Sequence, residues 1–288
     1  MWWLQGPAIR KLFARSQADQ IETSYLSDPV DFSWHASDGQ TVHGLYYPPM
    51  NQACVSDQKP PLICYIHGGP TSAVNFGFSM EANFFTSRGY AYFAVNYRGS
   101  TSFGREYREA LNDRWGDLDV QDAVEGCQAL VDKGSADPGK LVIKGGSAGG
   151  YTVLNALIRH PGFFKAGLCS YGVTNLFLFD MDTHKFEAHY NKKLVGTLPQ
   201  DAKKFHDWSP AFHADKIRDA IAVFQGSDDK VVTLNQAEEM VNALRANRVE
   251  VFYRVYQGEG HGFRKAENIK DFYKSIDRFL KQHVIFSV

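Results

Sequence analysis

The stretch Leu141-Val142-Ile143-Lys144-Gly145-Gly146-Ser147-Ala148-Gly149-Gly150-Tyr151 decides the fold that we expect of this chain. Its first residues form an apolar, β-branched run, which is typical of a buried strand. Four glycines flank Ser147 and let the backbone turn tightly where a side chain would clash. Apolar residues at helical spacing then continue to His160-Pro161-Gly162, where a helix is expected to stop. The stretch therefore predicts a strand, a sharp turn with Ser147 at its apex, and a helix.

The bulk composition indicates a large domain without nucleic-acid or membrane partners. The chain has 288 residues, of which 44% are hydrophobic, and this suffices for a single large core. The formal net charge is −1, so neither nucleic acid nor an anionic membrane surface is an expected partner. No apolar run approaches the roughly 20 residues that span a bilayer, and the apolar start of the chain is too short for a signal peptide.

The cysteines indicate a reducing environment rather than a metal site. There are four of them, Cys54, Cys64, Cys127 and Cys169, and they are scattered without the spacing of metal ligands. We expect them to be small buried hydrophobic residues. The sequence therefore predicts a cytoplasmic protein that holds neither a metal nor a cofactor.

The order of the elements predicts the architecture. Residues 1–30 differ from the rest and are expected to be an N-terminal arm or the remnant of a preceding domain, followed by a catalytic domain over residues 31–288. The domain starts with a hairpin at Asp38-Gly39 and continues with strands and helices in alternation. This alternation predicts a mostly parallel central sheet with helices on both faces. The long aromatic segment from Tyr171 to Pro210 is expected to be irregular and to cover the site.

Strand, Gly-x-Ser-x-Gly and helix form the nucleophile elbow of the α/β-hydrolase fold, in which an acid and then a histidine follow the serine along the chain. His261 is the candidate base, because it follows the last strand and has glycines on both sides. Asp228 and Asp229 both follow the preceding strand, and chemistry alone does not choose which of them orients the histidine. The weaker competitors, which follow an earlier strand, are Asp180 and Asp182.

Two backbone N–H groups are needed to stabilise the charge that develops on the substrate oxygen. The N–H of Ala148, directly after the serine, is one candidate. The loop His67-Gly68-Gly69-Pro70 follows an early strand, and its glycines let the backbone approach a substrate, so it is expected to supply the second donor.

From about residue 30 to the C-terminus, the chain resembles the catalytic domain of the prolyl oligopeptidase family, in its acylaminoacyl-peptidase and dipeptidyl-aminopeptidase-like branch. Six ordered motifs carry the resemblance: Tyr65-Ile66-His67-Gly68-Gly69-Pro70, Asn96-Tyr97-Arg98-Gly99-Ser100-Thr101-Ser102-Phe103-Gly104, Trp115-Gly116 with Asp119 and Asp122-Ala123, Gly145-Gly146-Ser147-Ala148-Gly149-Gly150, Gln225-Gly226 with Asp229, and Gly258-Glu259-Gly260-His261-Gly262-Phe263.

The resemblance implies a serine peptidase with Ser147, Asp229 and His261 as its triad, since the family acid sits in a Gly-x-x-Asp-x-x-Val pattern. It further implies Gly69 and Ala148 as oxyanion donors, and a substrate pocket lined by Tyr151 and by aromatic residues of the segment 171–179. Two family prolines are replaced here, by Ala220 and Thr233.

Family members typically carry an N-terminal β-propeller, whereas about 30 residues precede the hydrolase domain here. The chain is therefore expected to be either a fragment or a short member with an open site. The expected substrate is a short peptide or an acyl-peptide. A carboxylesterase acting on small acyl esters is the alternative, and a non-catalytic interaction module is a third reading. The sequence leaves the oligomeric state open, a homo-oligomer included.

Overall fold

One sheet organises the protein. The computed structural model describes residues 21–53, 56–182 and 192–287, so most of the predicted N-terminal arm, Cys54 and the side chain of Asp182 lie outside the described residues. Within these ranges, eight strands form a single sheet in the order β1-β2-β4-β3-β5-β6-β7-β8. The strands are β1 (Val30–His35), β2 (Thr41–Tyr47), β3 (Leu62–Ile66), β4 (Ala91–Asn96), β5 (Leu141–Gly146), β6 (Ala166–Ser170), β7 (Ala220–Gly226) and β8 (Val251–Tyr256).

The antiparallel part of the sheet lies at one edge, and the rest is parallel. Strands β1 and β2 form the predicted hairpin, in which Gly39 adopts a φ of +82° and the Gln40 N–H donates to Asp38 Oδ1 over 3.1 Å. Strand β2 pairs antiparallel with β4, and all the remaining pairs are parallel. The prediction of a mostly parallel sheet is confirmed. Parallel strands end at a common edge, so the loops after β3, β5, β7 and β8 meet there.

Helices cover both faces, as predicted. They are α1 (Met80–Thr86), α2 (Arg105–Glu109), α3 (Leu118–Asp132), α4 (Ala148–Arg159), α5 (Leu176–Asp182), α6 (Ala202–Trp208), α7 (Leu234–Ala246) and α8 (Ala266–Leu280), with 3₁₀ turns at Thr23–Tyr25, Pro138–Lys140 and Pro210–Lys216 and a π turn at Lys281–Ile285. The segment 171–210 is therefore less irregular than expected, since it contains α5 and α6. Helices of seven residues are too short to show a clear apolar period in the sequence.

The core is split by the sheet into two apolar layers. Helices α3, α4 and α7 pack on one face, and α1 and α8 pack on the other. Strand β3 shows the division, because Cys64 belongs to the first layer and Ile63 to the second. The thiols of Cys64, Cys127 and Cys169 are buried and free, as predicted. Across the described ranges, no helix combines the length and the apolar character needed to cross a membrane.

Candidate active site

Ser147 lies at the tip of a strained turn between β5 and α4. Its φ of +56° and ψ of −124° fall outside the regions that a non-glycine residue usually adopts. The neighbouring glycines are required by close backbone contacts. A Cβ on Gly149 would lie 2.2 Å from the carbonyl oxygen of Ile66, and a Cβ on Gly145 would lie 2.4 Å from that of Gly149. The turn therefore fixes Ser147 at the edge where the loops of the parallel strands meet.

Asp229 lies in the loop after β7 and faces His261. Its Oδ2 accepts a hydrogen bond from His261 Nδ1 over 2.9 Å, and its side chain is fully buried. The other oxygen, Oδ1, accepts the backbone N–H groups of Val231 and Val232 over 2.9 and 3.0 Å. Gln225 Nε2 lies a further 3.3 Å from Oδ2. Backbone donors thus hold the carboxylate in one orientation, with one oxygen directed to the imidazole.

The neighbouring acids are placed differently. Asp228 is exposed, and its carboxylate accepts a hydrogen bond from the Ser227 hydroxyl over 2.6 Å. Asp180 lies on α5, and the side chain of Asp182 lies outside the described residues. Of the acids that the sequence left in competition, the structure brings Asp229 to the histidine.

The histidine loop is held by a buried glutamate that sequence reasoning did not single out. Glu259 is 2% exposed, and it accepts the backbone N–H groups of Arg264 and Lys265 over 2.9 and 2.8 Å. The loop also packs against the end of β7, where a Cβ on Gly226 would lie 2.4 Å from the Glu259 carbonyl oxygen and 2.5 Å from that of Gly260. The loop that carries Asp229 and the loop that carries His261 are therefore in close backbone contact.

The glycine loop after β3 is anchored by a second histidine. The His67 Nδ1 lies 2.8 Å from the Gly68 carbonyl oxygen, and its Nε2 lies 2.8 Å from Ser100 Oγ. The hydroxyl of Tyr97 donates toward the Pro70 carbonyl oxygen at 3.1 Å and lies 3.2 Å from that of His67. Burial lowers the pKa of His67 to about 4 against the opposing effect of the Gly68 carbonyl, so its imidazole is neutral at pH 7. The sequence indicated these residues only as family motifs.

The predicted oxyanion donors lie beside the serine. Ala148 is the first residue of α4, where the N–H has no acceptor within the helix, whereas the Ser147 N–H donates to the Ser170 carbonyl over 3.0 Å. The glycine loop touches the turn, since a Cβ on Gly68 would lie 3.6 Å from Ser147 Cβ. Gly69, with a φ of +124°, lines the same cavity as Ser147.

A cavity of about 640 Å³ opens at Ser147 and His261. Tyr171, from the predicted aromatic segment, lines it, with its ring centroid 4.8 Å from that of His261. The Tyr171 ring also covers Gly146, where a Cβ would lie 2.9 Å from a ring carbon. In the part of the chain that the structure describes, no group of three or more His, Cys, Asp or Glu side chains is arranged to hold a metal ion.

The prediction that Tyr151 lines the substrate pocket is wrong. Its side chain is fully buried, with its ring centroid 4.3 Å from that of Trp115 and its hydroxyl donating to the Trp208 carbonyl over 2.8 Å. A Cβ on Gly116 would lie 2.6 Å from the hydroxyl oxygen. Tyr151 therefore fills the layer under α4 and has no surface toward a substrate.

Sequence reasoning also missed a charged pair in the cavity wall. Lys144 and Glu81 both line the cavity, and Lys144 Nζ lies 2.8 Å from Glu81 Oε1. Burial opposes ionisation of Glu81, but the Lys144 ammonium and the hydroxyls of Tyr92 and Tyr273 outweigh it and lower the pKa of this carboxyl. The only signal in the sequence was a lysine in an apolar strand, three residues before Ser147.

Comparison with curated proteins identifies relatives among peptidases. The chain is 31% identical to dipeptidyl peptidase family member 6 of Caenorhabditis elegans over 93% of this chain and 39% of that protein. It is 32% identical to dipeptidyl aminopeptidase BIII of Pseudoxanthomonas mexicana over 79% of this chain and 34% of that protein. The chain thus spans between a third and two fifths of the length of these relatives.

The fold and a family model lead to the same group of proteins. A puromycin-hydrolysing peptidase of Mycobacterium tuberculosis superimposes with a TM-score of 0.91 at 38% identity, covering 94% of this chain and 41% of that one. Residues 76–285 match the model of the peptidase S9, prolyl oligopeptidase family. The chain therefore belongs to the prolyl oligopeptidase family of serine peptidases.

Proposed function

We propose that this chain hydrolyses short peptides or acyl-peptides through an acyl-enzyme. The observation that carries the proposal is the 2.9 Å contact between His261 Nδ1 and Asp229 Oδ2, with His261 and Ser147 on the wall of one cavity. Peptides are the proposed substrate class because the similar proteins named above are peptidases. The family resemblance of the site motifs supports the same assignment.

In the proposed first step, His261 Nε2 takes the proton from Ser147 Oγ, which attacks the carbonyl carbon of the scissile bond. Asp229 accepts the Nδ1–H of His261, so the lone pair of the neutral ring is on Nε2, which is then free to act as the base. The same carboxylate stabilises the imidazolium that forms. The negative charge moves to the carbonyl oxygen, where the N–H groups of Gly69 and Ala148 are the proposed donors.

Collapse of this intermediate breaks the carbon–nitrogen bond. The imidazolium of His261 gives its Nε2 proton to the leaving nitrogen, and the acyl group stays on Ser147 Oγ. A water molecule, deprotonated by His261, then attacks the ester carbon. The bond between this carbon and Ser147 Oγ breaks, His261 returns the proton to Oγ, and the acid is released. The steps use groups of this chain, the substrate and one water molecule, so the proposed chemistry requires no cofactor.

Hydrolysis of an aminoacyl-nitroanilide tests the proposal, with Ser147→Ala as the matched control. We expect the wild type to release nitroaniline and to be labelled by a fluorophosphonate at Ser147, and the variant to do neither. Turnover that is equal in both proteins would contradict the assignment of the nucleophile. Because the same machinery also cleaves esters, matched ester and amide substrates belong in the assay. Cleavage of esters alone would replace the peptidase by a carboxylesterase.

We propose a cytoplasmic location for the protein. The free thiols of Cys64, Cys127 and Cys169, all buried, support a reducing compartment. Localisation of the tagged full-length protein by cell fractionation tests this proposal, and recovery in a secreted fraction would contradict it.

A further inference from the structure

We propose that the cavity beside Ser147 binds the leaving group, and that Lys144 there binds the C-terminal carboxylate of a short leaving peptide. This inference rests on the proposed function, because a leaving group is released only if Ser147 cleaves an acyl bond. It adds a substrate class, namely peptides with a free C-terminus close to the scissile bond.

The position of the cavity assigns it to the leaving group. A histidine that protonates the leaving nitrogen must face that nitrogen, so the leaving group lies on the imidazole side of the serine. The cavity lies on this side, because its walls include His261, Phe263 of the same loop, and Ile269, Phe272 and Tyr273 of the following helix α8. It therefore receives what departs from the acyl-enzyme.

Lys144 provides hydrogen-bond donors in this cavity. Its side chain is 7% exposed and lines the cavity, and Tyr65 lies beneath the ammonium with its ring centroid 5.2 Å from Nζ. An ammonium has three N–H donors. Within the described part of the chain, one of these donors binds Glu81 Oε1 over 2.8 Å. Two donors therefore remain for a ligand in the cavity.

Glu81 positions this ammonium, and its carboxylate accepts further hydrogen bonds from two tyrosines. Its Oε1 accepts from Lys144 and from the Tyr92 hydroxyl over 2.8 and 2.7 Å, and its Oε2 lies 3.3 Å from the Tyr273 hydroxyl. Three donors thus occupy the Glu81 carboxylate, whereas two N–H donors of the Lys144 ammonium are left, and these suit a carboxylate. Because the pair is neutral overall, we expect a moderate preference that comes from hydrogen bonds.

The dimensions of the site limit the length of the leaving peptide. Lys144 lies in β5, two residues before its last residue, and Ser147 follows in the turn, so the two Cα atoms are at most about 10 Å apart. Two extended residues span about 7 Å, and the hydrogen bond to the ammonium adds about 3 Å. The apolar side chains of Phe263, Ile269 and Phe272 in the wall favour an apolar residue at the end of the leaving peptide. The ligand class is therefore a dipeptide that ends in an apolar residue with a free carboxylate.

Paired substrates test the proposal. An acyl-aminoacyl-Gly-Phe peptide is prepared with a C-terminal carboxylate and, as its partner, with a C-terminal amide. We expect the wild type to prefer the carboxylate at least tenfold in kcat/KM, through KM, since a charge-assisted hydrogen bond corresponds to a factor of about 10 to 100. The Lys144→Met variant is expected to lose the preference. The matched control is Lys140→Met, which changes a partly exposed lysine directly before the first residue of β5. This variant should keep the preference for the carboxylate.

Three results would overturn the inference: equal use of both substrates by the wild type, a preference that survives in Lys144→Met, or a preference for the amide. If Lys144→Met does not fold, the double variant Lys144→Met/Glu81→Gln removes both charges of the pair and carries the same expectation. Titration of the Ser147→Ala protein with Gly-Phe and with its amide separates this inference from the proposed function. Tighter binding of the dipeptide acid, abolished by Lys144→Met, supports the carboxylate site even where no protein cleaves peptides, and equal binding of acid and amide contradicts it.

Discussion

Replacing Asp229 by asparagine is expected to lower kcat by about 10⁴, the loss known for the corresponding change in a serine protease triad. The carboxylate and the amide have the same shape, so the effect arises from the changed hydrogen-bond pattern and from the loss of the charge that stabilises the imidazolium. At 25 °C this factor corresponds to about 5.5 kcal/mol of transition-state stabilisation.

The structure determines how the new amide group would orient. Oδ1 of Asp229 accepts two backbone N–H groups, those of Val231 and Val232, at 2.9 and 3.0 Å, so this position requires an oxygen. The amide nitrogen must then occupy the position of Oδ2, which lies 2.9 Å from His261 Nδ1. Since an amide NH₂ only donates, Nδ1 becomes the acceptor and the ring proton moves to Nε2. A protonated Nε2 cannot take the proton of Ser147.

The assay is nitroanilide hydrolysis under saturating substrate, with Asp228→Asn as the matched control. Asp228 is exposed and bonded to Ser227, so its variant should remain within about twofold of the wild type. Thermal unfolding of both variants checks that the fold is retained. A larger loss in Asp228→Asn, or a folded Asp229→Asn variant with wild-type kcat, would refute the assignment of the orienting acid.

Two further predictions concern buried carboxyls. Burial raises the pKa of Asp119 to about 6 against the hydrogen bond from Thr152, whereas the unfolded value is about 3.9. The unfolded chain therefore ionises first, and the unfolding free energy falls by about 2 kcal/mol as the pH rises from 4 to 6. Asp119→Asn should remove this contribution. Urea unfolding of both proteins at pH 4.5 and 7 measures it, and an equal change of unfolding free energy between these pH values in both proteins would contradict the prediction. Glu259→Gln leaves one of the backbone N–H groups of Arg264 and Lys265 without an acceptor. It should therefore destabilise the fold by about 1–3 kcal/mol and lower kcat about tenfold. A lower melting temperature with unchanged kcat would contradict the positioning role of Glu259.

The nucleophile turn could be predicted from the sequence because its causes are local. The apolar run from Leu141 gives β5, and α4 begins at Ala148, as expected. The glycines on both sides of Ser147 are imposed by backbone contacts at about 2.2–2.4 Å, which leave no room for a Cβ. Such requirements are visible in the sequence wherever a turn is too tight for any other residue.

The choice between Asp228 and Asp229 could not be derived from the residues alone, because it depends on which way a loop folds. In the structure, Asp229 turns inward since two following N–H groups bind its Oδ1, and Asp228 turns out to solvent. Tyr151 is a different case. Helical spacing relates it to Leu154 and Ile158 of the apolar face, so the periodicity already indicated the core. The resemblance to the family implied a pocket role for Tyr151, whereas the spacing along the helix indicated a buried one.

The pair of Lys144 and Glu81 shows what motifs cannot reveal. The two residues are 63 positions apart and meet only because α1 packs on the same face of the sheet to which the Lys144 side chain points. A buried lysine needs a partner, since an isolated ammonium in an apolar layer is costly. The sequence therefore implied a partner but not its identity. Helix α8 lines the cavity beside this pair. The proposed binding of a leaving group therefore depends on elements outside the triad motifs, so proteins that share the triad can differ in what they bind there.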